Sequence, residues 1–294
     1  MNKETVNNAK GIVFMLIDAL SVSILFASVK FLTKDISSSQ IVFLYKLITL
    51  FIILPYILKD GSRYLRTQKI KLYLIGGTLS TIASLCLMYG MQHVPLANAT
   101  SLNYLEKVLL SIIGILYFKE RYTNIKLISI LASFIGAVIV VQPDIFYTKS
   151  LLTKFDSNYL YIFISIILWV LYCITVKMLG RTEHTKTQLF YAVLISTIVS
   201  FPAALSTWSS EKLNSNHVKI LLLISSCYLI RSISSFKAMK HGDLSIVIPF
   251  GYSKILFTAM IGALIFNETP SLGSYVGYFI IIASGVALIT QKRN

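Results

Sequence analysis

Charge is what this chain has least of. Of its 294 residues only 13% are Asp, Glu, Lys or Arg, about half the share of a soluble domain. A large soluble helical core is excluded with it, because the polar helix faces that would meet water are mostly missing. Cysteine is scarce: Cys86, Cys173 and Cys227 all fall inside apolar runs with no pairing pattern. They read as small packing residues and carry no redox information. No His/Cys cluster has metal-ligand spacing, so no metal is expected. No paired nucleophile and base sits at membrane depth, which argues against an enzyme. No GxxxxGK[ST] loop occurs, so the chain is not expected to hydrolyse nucleotide, and no cofactor is expected. A cleavable signal peptide is not expected either. Residues 1–11 are short and polar, and no small-residue cleavage site follows the first apolar run.

Acid is scarcer than base: 12 Asp and Glu stand against 27 Lys and Arg, a formal net charge of +15. Such an excess invites a nucleic-acid reading. The basic residues, however, sit in short loops between apolar runs, which fits membrane topology and leaves no nucleic-acid partner to expect. Alanine occurs 16 times and isoleucine 41 times, a bias that suggests an AT-rich coding sequence.

Apolar residues are what is abundant, at 55% of the chain with a mean hydropathy of +0.73. Runs of about 20 apolar residues recur, each long enough to cross a lipid bilayer as a helix. The expected fold class is an all-α membrane protein with ten spans, near 12–32, 40–58, 72–91, 98–117, 126–142, 158–178, 187–206, 218–236, 245–266 and 272–290. With the N-terminus inside, 17 of the 27 basic residues fall on inner segments, six on outer segments and four within spans. That bias places both termini in the cytoplasm.

One stretch occurs twice. Gly90–Glu120 aligns without a gap with Ala238–Glu268 at an offset of 148, and nine of 31 positions are identical. About two or three matches would be expected between unrelated stretches of such biased composition. The identities include His93/His241, Tyr104/Tyr252, Gly114/Gly262 and Glu120/Glu268. Val29-Lys30 pairs with Val176-Lys177 at 147, and Gly136 and Gln142 pair with Gly285 and Gln291 at 149. The chain thus reads as one unit written twice, 1–148 and 149–294. Five spans per unit is an odd number, so the second unit is expected upside down relative to the first. Inverted repeats of this kind are a frequent plan of secondary transporters, with the substrate site near the midplane.

Ten spans, a five-plus-five repeat and, in each half, a run (A/G)-M-x-H-x-x-L ending in F-x-E resemble the drug/metabolite transporter superfamily, EamA type. The resemblance covers the whole chain and implies a small-molecule substrate: family members carry amino acids, nucleotide sugars and sugar phosphates. Length, the opening MNKETVNNAKGIVFMLIDALSVSILFASVKF and the Ile/Lys/Asn-rich composition look like those members that take up S-adenosylmethionine in obligate intracellular bacteria. This implies import of S-adenosylmethionine across the bacterial inner membrane, with S-adenosylhomocysteine as a candidate exchange substrate. Many relatives have Pro in the fourth span where this chain has Lys107. The proline of the second copy is Pro249, six residues before the equivalent of Lys107. The usual cause of a helix break is therefore missing from span 4.

Charges at membrane depth are costly and usually face a cavity or a partner. Here they are Asp18, Lys46, Glu106, Lys107, Arg231 and Lys254. Glu106 and Lys254 are twins in the repeat, and two opposite charges at related midplane positions would suit a zwitterionic amino-acid moiety. Lys107 points about 100° away from Glu106 around a helix and is expected to reach a neighbouring span. Asp18 could meet an amino group or sulfonium, carry a proton, or pair internally with Lys46. Relatives often have a basic residue at Lys46. Arg231 could grip a carboxylate in two-pronged fashion or snorkel to the inner face. Tyr104, Tyr252 and Trp169 lie beside these charges, as do Tyr45 and Tyr172; an aromatic face can stack on adenine and attracts a sulfonium. Taken alone, four buried bases against two acids lean towards an anionic substrate such as a sugar phosphate. Glu120 and Glu268 read as helix ends or gating contacts, His93 and His241 as structural hydrogen bonders, and Gly273xxxGly277 as close helix packing. Rival readings are an amino-acid or drug exporter and a non-transporting membrane scaffold.

Overall fold

In an apolar solvent a backbone must satisfy its own hydrogen bonds, and within one segment only a helix does so. The computed structural model describes residues 7–32, 35–59, 65–93, 102–121, 123–141, 158–208, 214–266 and 272–290. Among the described residues there is no strand. The helices are α1 (Asn8–Leu32), α2 (Ser38–Lys59), α3 (Ile70–His93), α4 (Leu105–Leu116), α5 (Asn124–Val141), α6 (Tyr159–Gly180), α7 (Thr185–Ser206) and α8 (Ser215–His241). The short α9 (Leu244–Val247) then runs through a 3₁₀ segment (Ile248–Tyr252) into α10 (Ser253–Phe266), and α11 (Leu272–Thr290) follows.

Among the described residues seven stretches are long and apolar enough to cross a membrane, the α9–α10 unit counting as one. Two more, Asn124–Val140 and Gly273–Leu288, are apolar but shorter. The sequence expectation was ten. The difference falls on α5 and α11, and on α4, which starts at Leu105 rather than near 98. Residues 94–101, 142–157 and 267–271 lie outside the described residues, and with them Gln142 and Glu268; Gln291 and the side chain of His93 do too.

Packing follows a regular scheme. Helix α1 lies along α8, α3 along α6, α5 along α11 and α2 along α7. In addition α1 touches α10, α4 touches α6, α2 touches α8, α3 touches α7, and α4 meets α9 and the 3₁₀ segment. These pairings are unchanged when α1–α5 are exchanged in order with α6, α7, α8, the α9–α10 unit and α11.

Large apolar side chains stand on the outside as well as in the core. Leu264 (80% exposed) and Phe279 (72%) stand on the outside, where an apolar solvent costs them nothing. Hydroxyls turn inward and bond back to their own helices: Ser23 to the Ala19 carbonyl (2.9 Å), Thr49 to Tyr45 (2.7 Å), Ser225 to Leu221 (2.7 Å). Each is satisfied without a partner helix, so small polar residues can pack at helix contacts. The turns sort to two ends. At one, Asp35 pairs with His217 (3.1 Å) and Ser37 with Thr207 (3.2 Å). At the other, Asn7 N–H donates to the His241 carbonyl (2.9 Å) and Lys69 to the Thr182 hydroxyl (2.7 Å).

Helices α5 and α11 cross at their backbones. A Cβ on Gly277 would stand 2.5 Å from the Gly136 carbonyl oxygen, and Ser133 and Ser284 share a hydrogen bond of 2.7 Å nearby. The packing role read for the α11 glycines thus holds at Gly277. Gly277→Leu is expected to cost at least about 1–3 kcal/mol by overpacking, whereas Val276→Leu, on the exposed face, should be neutral. Thermal melts of the detergent-purified protein check this; equal melting temperatures for both variants would show that the crossing is not tight.

Candidate functional site

The α-helical bonding of two segments is interrupted at twin positions. Tyr104 is a turn residue immediately before α4, and Tyr252 closes the 3₁₀ segment before α10. In the second case Pro249 supplies the cause, lacking an N–H and crowding the preceding turn. The first has no proline, yet Lys107 N–H bonds three residues back to the Tyr104 carbonyl (3.1 Å). That same carbonyl accepts the Tyr252 hydroxyl at 2.9 Å, so each interruption is held by the other. The rings lie 5.6 Å apart and both are buried.

The interruptions aim charges inward. Glu106 sits in the first turn of α4, where the helix dipole favours a carboxylate. Its twin Lys254 sits in the first turn of α10, where the dipole adds to its own positive charge. Lys254 Nζ stands 5.5 Å from the centre of the Tyr104 ring and 4.9 Å from Phe26. Lys107 Nζ stands 5.9 Å from the Tyr252 ring, so it does reach the neighbouring segment, as its helix angle implies. Each lysine therefore lies over the tyrosine of the opposite half. Glu106 is buried, and among the described residues it has no hydrogen bond and no ion pair. It remains within electrostatic range of Asp18 and Lys254.

A second group adjoins the first. Arg231 on α8 pairs with Asp18 on α1, Nε to Oδ1 3.7 Å. That is an ion pair without a hydrogen bond: both atoms are buried and lack hydrogen-bond partners. The guanidinium lies 5.6 Å from the Trp169 ring, and Trp169 lies 5.3 Å from Tyr172. Asp18 and the Trp169 ring thus hold the Arg231 Nε inside the bundle. The Asp18–Lys46 pair, one of the readings weighed above, does not form, because Arg231 takes Asp18. Lys46 is buried on α2, and the charge acting on it is that of Arg231.

The structure thus brings Asp18, Glu106, Lys107, Arg231 and Lys254 into one electrostatic group. Tyr104, Tyr252 and Trp169 lie against it, and Lys46 borders it through Arg231. Sequence reasoning passed over Phe26 and Tyr228, and read Cys173 as a packing residue only. Tyr228 stands three residues before Arg231, one helical turn away, and packs 5.0 Å from Tyr45. Cys173 is buried within range of Glu106, Lys107, Arg231 and Asp18. A small crevice lined by Leu72, Tyr73, Gly76, Gly77, Tyr172 and others holds none of the six charges. Chemically, the group offers an unmatched carboxylate, an acid–base pair and three cations on aromatic or apolar neighbours. It can bind and exchange charged partners.

Comparison with known proteins adds the following. The profile of the EamA-like transporter family matches residues 9–142 and again 156–291. The S-adenosylmethionine uptake transporter of Rickettsia prowazekii is 22% identical over 100% of this chain and 97% of its own length. The pseudopaline exporter of Pseudomonas aeruginosa is 23% identical over 97% of each. The riboflavin transporter of Vibrio cholerae is 26% identical over 96% of this chain and 90% of its own. A solved crystal structure superposes with a TM-score of 0.83 at 14% identity, covering 98% of this chain and 100% of that one; at that identity the likeness shows the fold alone. All the named relatives are transporters and none is an enzyme.

Removing one partner of a buried ion pair leaves the other uncompensated, at a cost of up to about 3–5 kcal/mol. Asp18→Asn leaves Arg231 beside Lys46, whereas Arg231→Gln leaves Asp18 with Lys107 and Lys254 in range. Asp18→Asn should therefore lower the melting temperature more than Arg231→Gln, and the double variant should recover part of the loss. Strictly additive losses in the same melts would rule out the pair as a unit.

Proposed function

Because the chain belongs to the EamA-like transporter family, we propose that it is a secondary transporter importing S-adenosylmethionine across the bacterial inner membrane, with S-adenosylhomocysteine as exchange substrate. It is a multi-pass membrane protein; the ten spans, the inverted units 1–148 and 149–294 and the cytoplasmic placement of both termini belong to this reading. Support comes from the double match of the family profile, from the packing scheme that survives exchange of the two halves and from the inward bias of basic residues. Units of opposite orientation that share one central site can rock about it, exposing it to each side in turn.

The observation that carries the substrate class is Glu106, a buried carboxylate without a partner among the described residues, placed among lysines that lie over tyrosines. An amino-acid moiety supplies what both lack. In this reading Lys254, at the start of α10, and Lys107 hold the carboxylate. Glu106 and Asp18 face the ammonium and the sulfonium. Tyr104, Tyr252 and Trp169 each hold a cation on one face, so adenine stacks on the remaining face of Trp169 or on Tyr172 beside it. Arg231 keeps Asp18 in place, and Lys46 adds positive potential on the same side. Full-length similarity to the Rickettsia transporters supports S-adenosylmethionine over other amino-acid compounds.

A second reading is an exporter or exchanger of amino acids, drugs or phosphorylated metabolites. Four bases against two acids in and around the centre favour it, since an anionic substrate would balance them, and the relatives include an exporter.

The test is uptake of radiolabelled S-adenosylmethionine by a bacterium that cannot take it up, with and without this protein. Uptake should depend on the protein and be blocked by excess S-adenosylhomocysteine but not by methionine. Glu106→Gln should lower it about ten- to hundredfold, the loss of one charge-assisted contact. No uptake despite confirmed membrane insertion would remove the substrate and leave the family assignment intact.

A further inference from the structure

Glu120 lies at the far end of α4 from the central charges, where a tight turn folds the chain back. Lys119 in that turn has φ 54°, a left-handed backbone unusual for lysine. Strain of this kind persists where the surroundings over-determine it, and here it delivers a side chain. The Glu120 carboxylate is 5% exposed and reaches the beginning of α9 in the other half of the chain. It accepts the Leu244 N–H at 2.6 Å and the Ser245 N–H at 2.8 Å. Lys177, at the end of α6, stands 3.6 Å from it and donates to the Gly242 carbonyl at 2.5 Å. Gly114 makes room: a Cβ there would stand 2.6 Å from the Glu120 Oε2.

An N-terminal helix cap normally comes from the residue just before the helix, and Asp is among the best. Here that residue is Asp243, with the extended backbone (φ −70°, ψ 134°) of a capping residue, yet its side chain makes no capping bond. Its Oδ2 accepts instead from the Asn8 side-chain amide (3.4 Å), while its own N–H donates to the Asn8 Oδ1 (2.8 Å). Both Glu120 and Asp243 act electrostatically on Lys177 and on Lys126. The start of α9 therefore has two acids in reach: the distant one engaged, the local one held aside.

We propose that Glu120 is a gate residue, closing the transport path at this end by capping α9 across the two halves, and that opening exchanges this cap for Asp243. The exchange keeps the α9 amides and both lysines matched to a carboxylate in either state, so the contact can release without stranding a charge. From Ser245 the chain runs through the 3₁₀ segment directly to Lys254, so movement at the cap displaces the central site. Glu120 is a positioning residue and touches no substrate. The proposal rests on the alternating-access reading above, but not on its substrate.

Cys173 supplies a native reporter, buried beside the central charges. In full-length protein carrying Cys86→Ser and Cys227→Ser, the rate of Cys173 modification by the membrane-impermeant sulfonatoethyl methanethiosulfonate is measured in inside-out and right-side-out vesicles. Glu120→Gln should raise the rate at least fivefold from one side only, the side of the N-terminus. Asp243→Ala should lower the rate from that same side, because the open state loses its cap. A purely structural cap would give the opposite pattern: both variants would raise the rate, or raise it from both sides. That result, an unchanged rate in Glu120→Gln, or a Cys173 unreactive in every variant, would overturn the proposal. The expected rates together with failed S-adenosylmethionine uptake would sink the substrate and leave the gate.

Discussion

Ionisable groups drawn into the bundle dominate this structure. Four bases and two acids lie on the helices of a bundle with an apolar exterior, Lys46 and Glu106 buried and the others half-buried, and each would be costly at membrane depth alone. The interior meets that cost in three ways. Asp18 and Arg231 answer one another directly. Lys107 and Lys254 lie over aromatic rings, whose faces attract a cation without themselves carrying charge. The first turn of α4 stabilises Glu106 through its dipole. None of the three fully matches the charges, and a surplus of unmatched groups remains.

The interrupted helices follow from the same constraint. A regular helix has no free backbone group to offer and carries its side chains round all faces. At Tyr104 and Tyr252 the bonding tightens to the 3₁₀ type, and the Tyr104 carbonyl that accepts the Lys107 N–H also accepts the hydroxyl of the other half's Tyr252. Irregular backbone at membrane depth is tolerated where protein rather than lipid surrounds it. Both interruptions are enclosed, packed with Ala137, Ile255 and Ile281. The new helix starts they create put Glu106 and Lys254 at positions of opposite charge but related geometry.

Much of this was legible in the chain. The gapless repeat picked out Tyr104 with Tyr252 and Glu106 with Lys254, because twin positions share an environment whether or not the residues match. Helix angle alone sent Lys107 to a neighbouring segment. What stayed illegible depended on which helices become neighbours. Asp18 had two bases to choose from, Lys46 and Arg231, and only the contact of α1 with α8 decides for Arg231. Glu120 was visible as a repeated helix-end residue, but its partners are backbone amides of another segment, and amides leave no mark in a sequence. Pro55 and Pro202, inside α2 and α7, stand at the same offset of 147 as the Val-Lys pair; that further sign of the repeat was available and passed over.

The two acids that matter most hold opposite relations to the backbone. Glu106 benefits from the start of its own helix and has no other partner among the described residues, whereas Glu120 is spent on the start of a helix from the other half. One is available to a ligand and the other is not. Between them the chain forms a mechanical path: the turn after α8, the cap on α9, the 3₁₀ segment, then Lys254 and Tyr252 against Tyr104 and Glu106. The path is short, and Pro249 gives it stiffness by fixing one backbone angle. A displacement at the capped end is therefore passed on rather than absorbed. It arrives where the tyrosine–carbonyl bond joins the two halves, the contact that also sets the geometry of the charged centre.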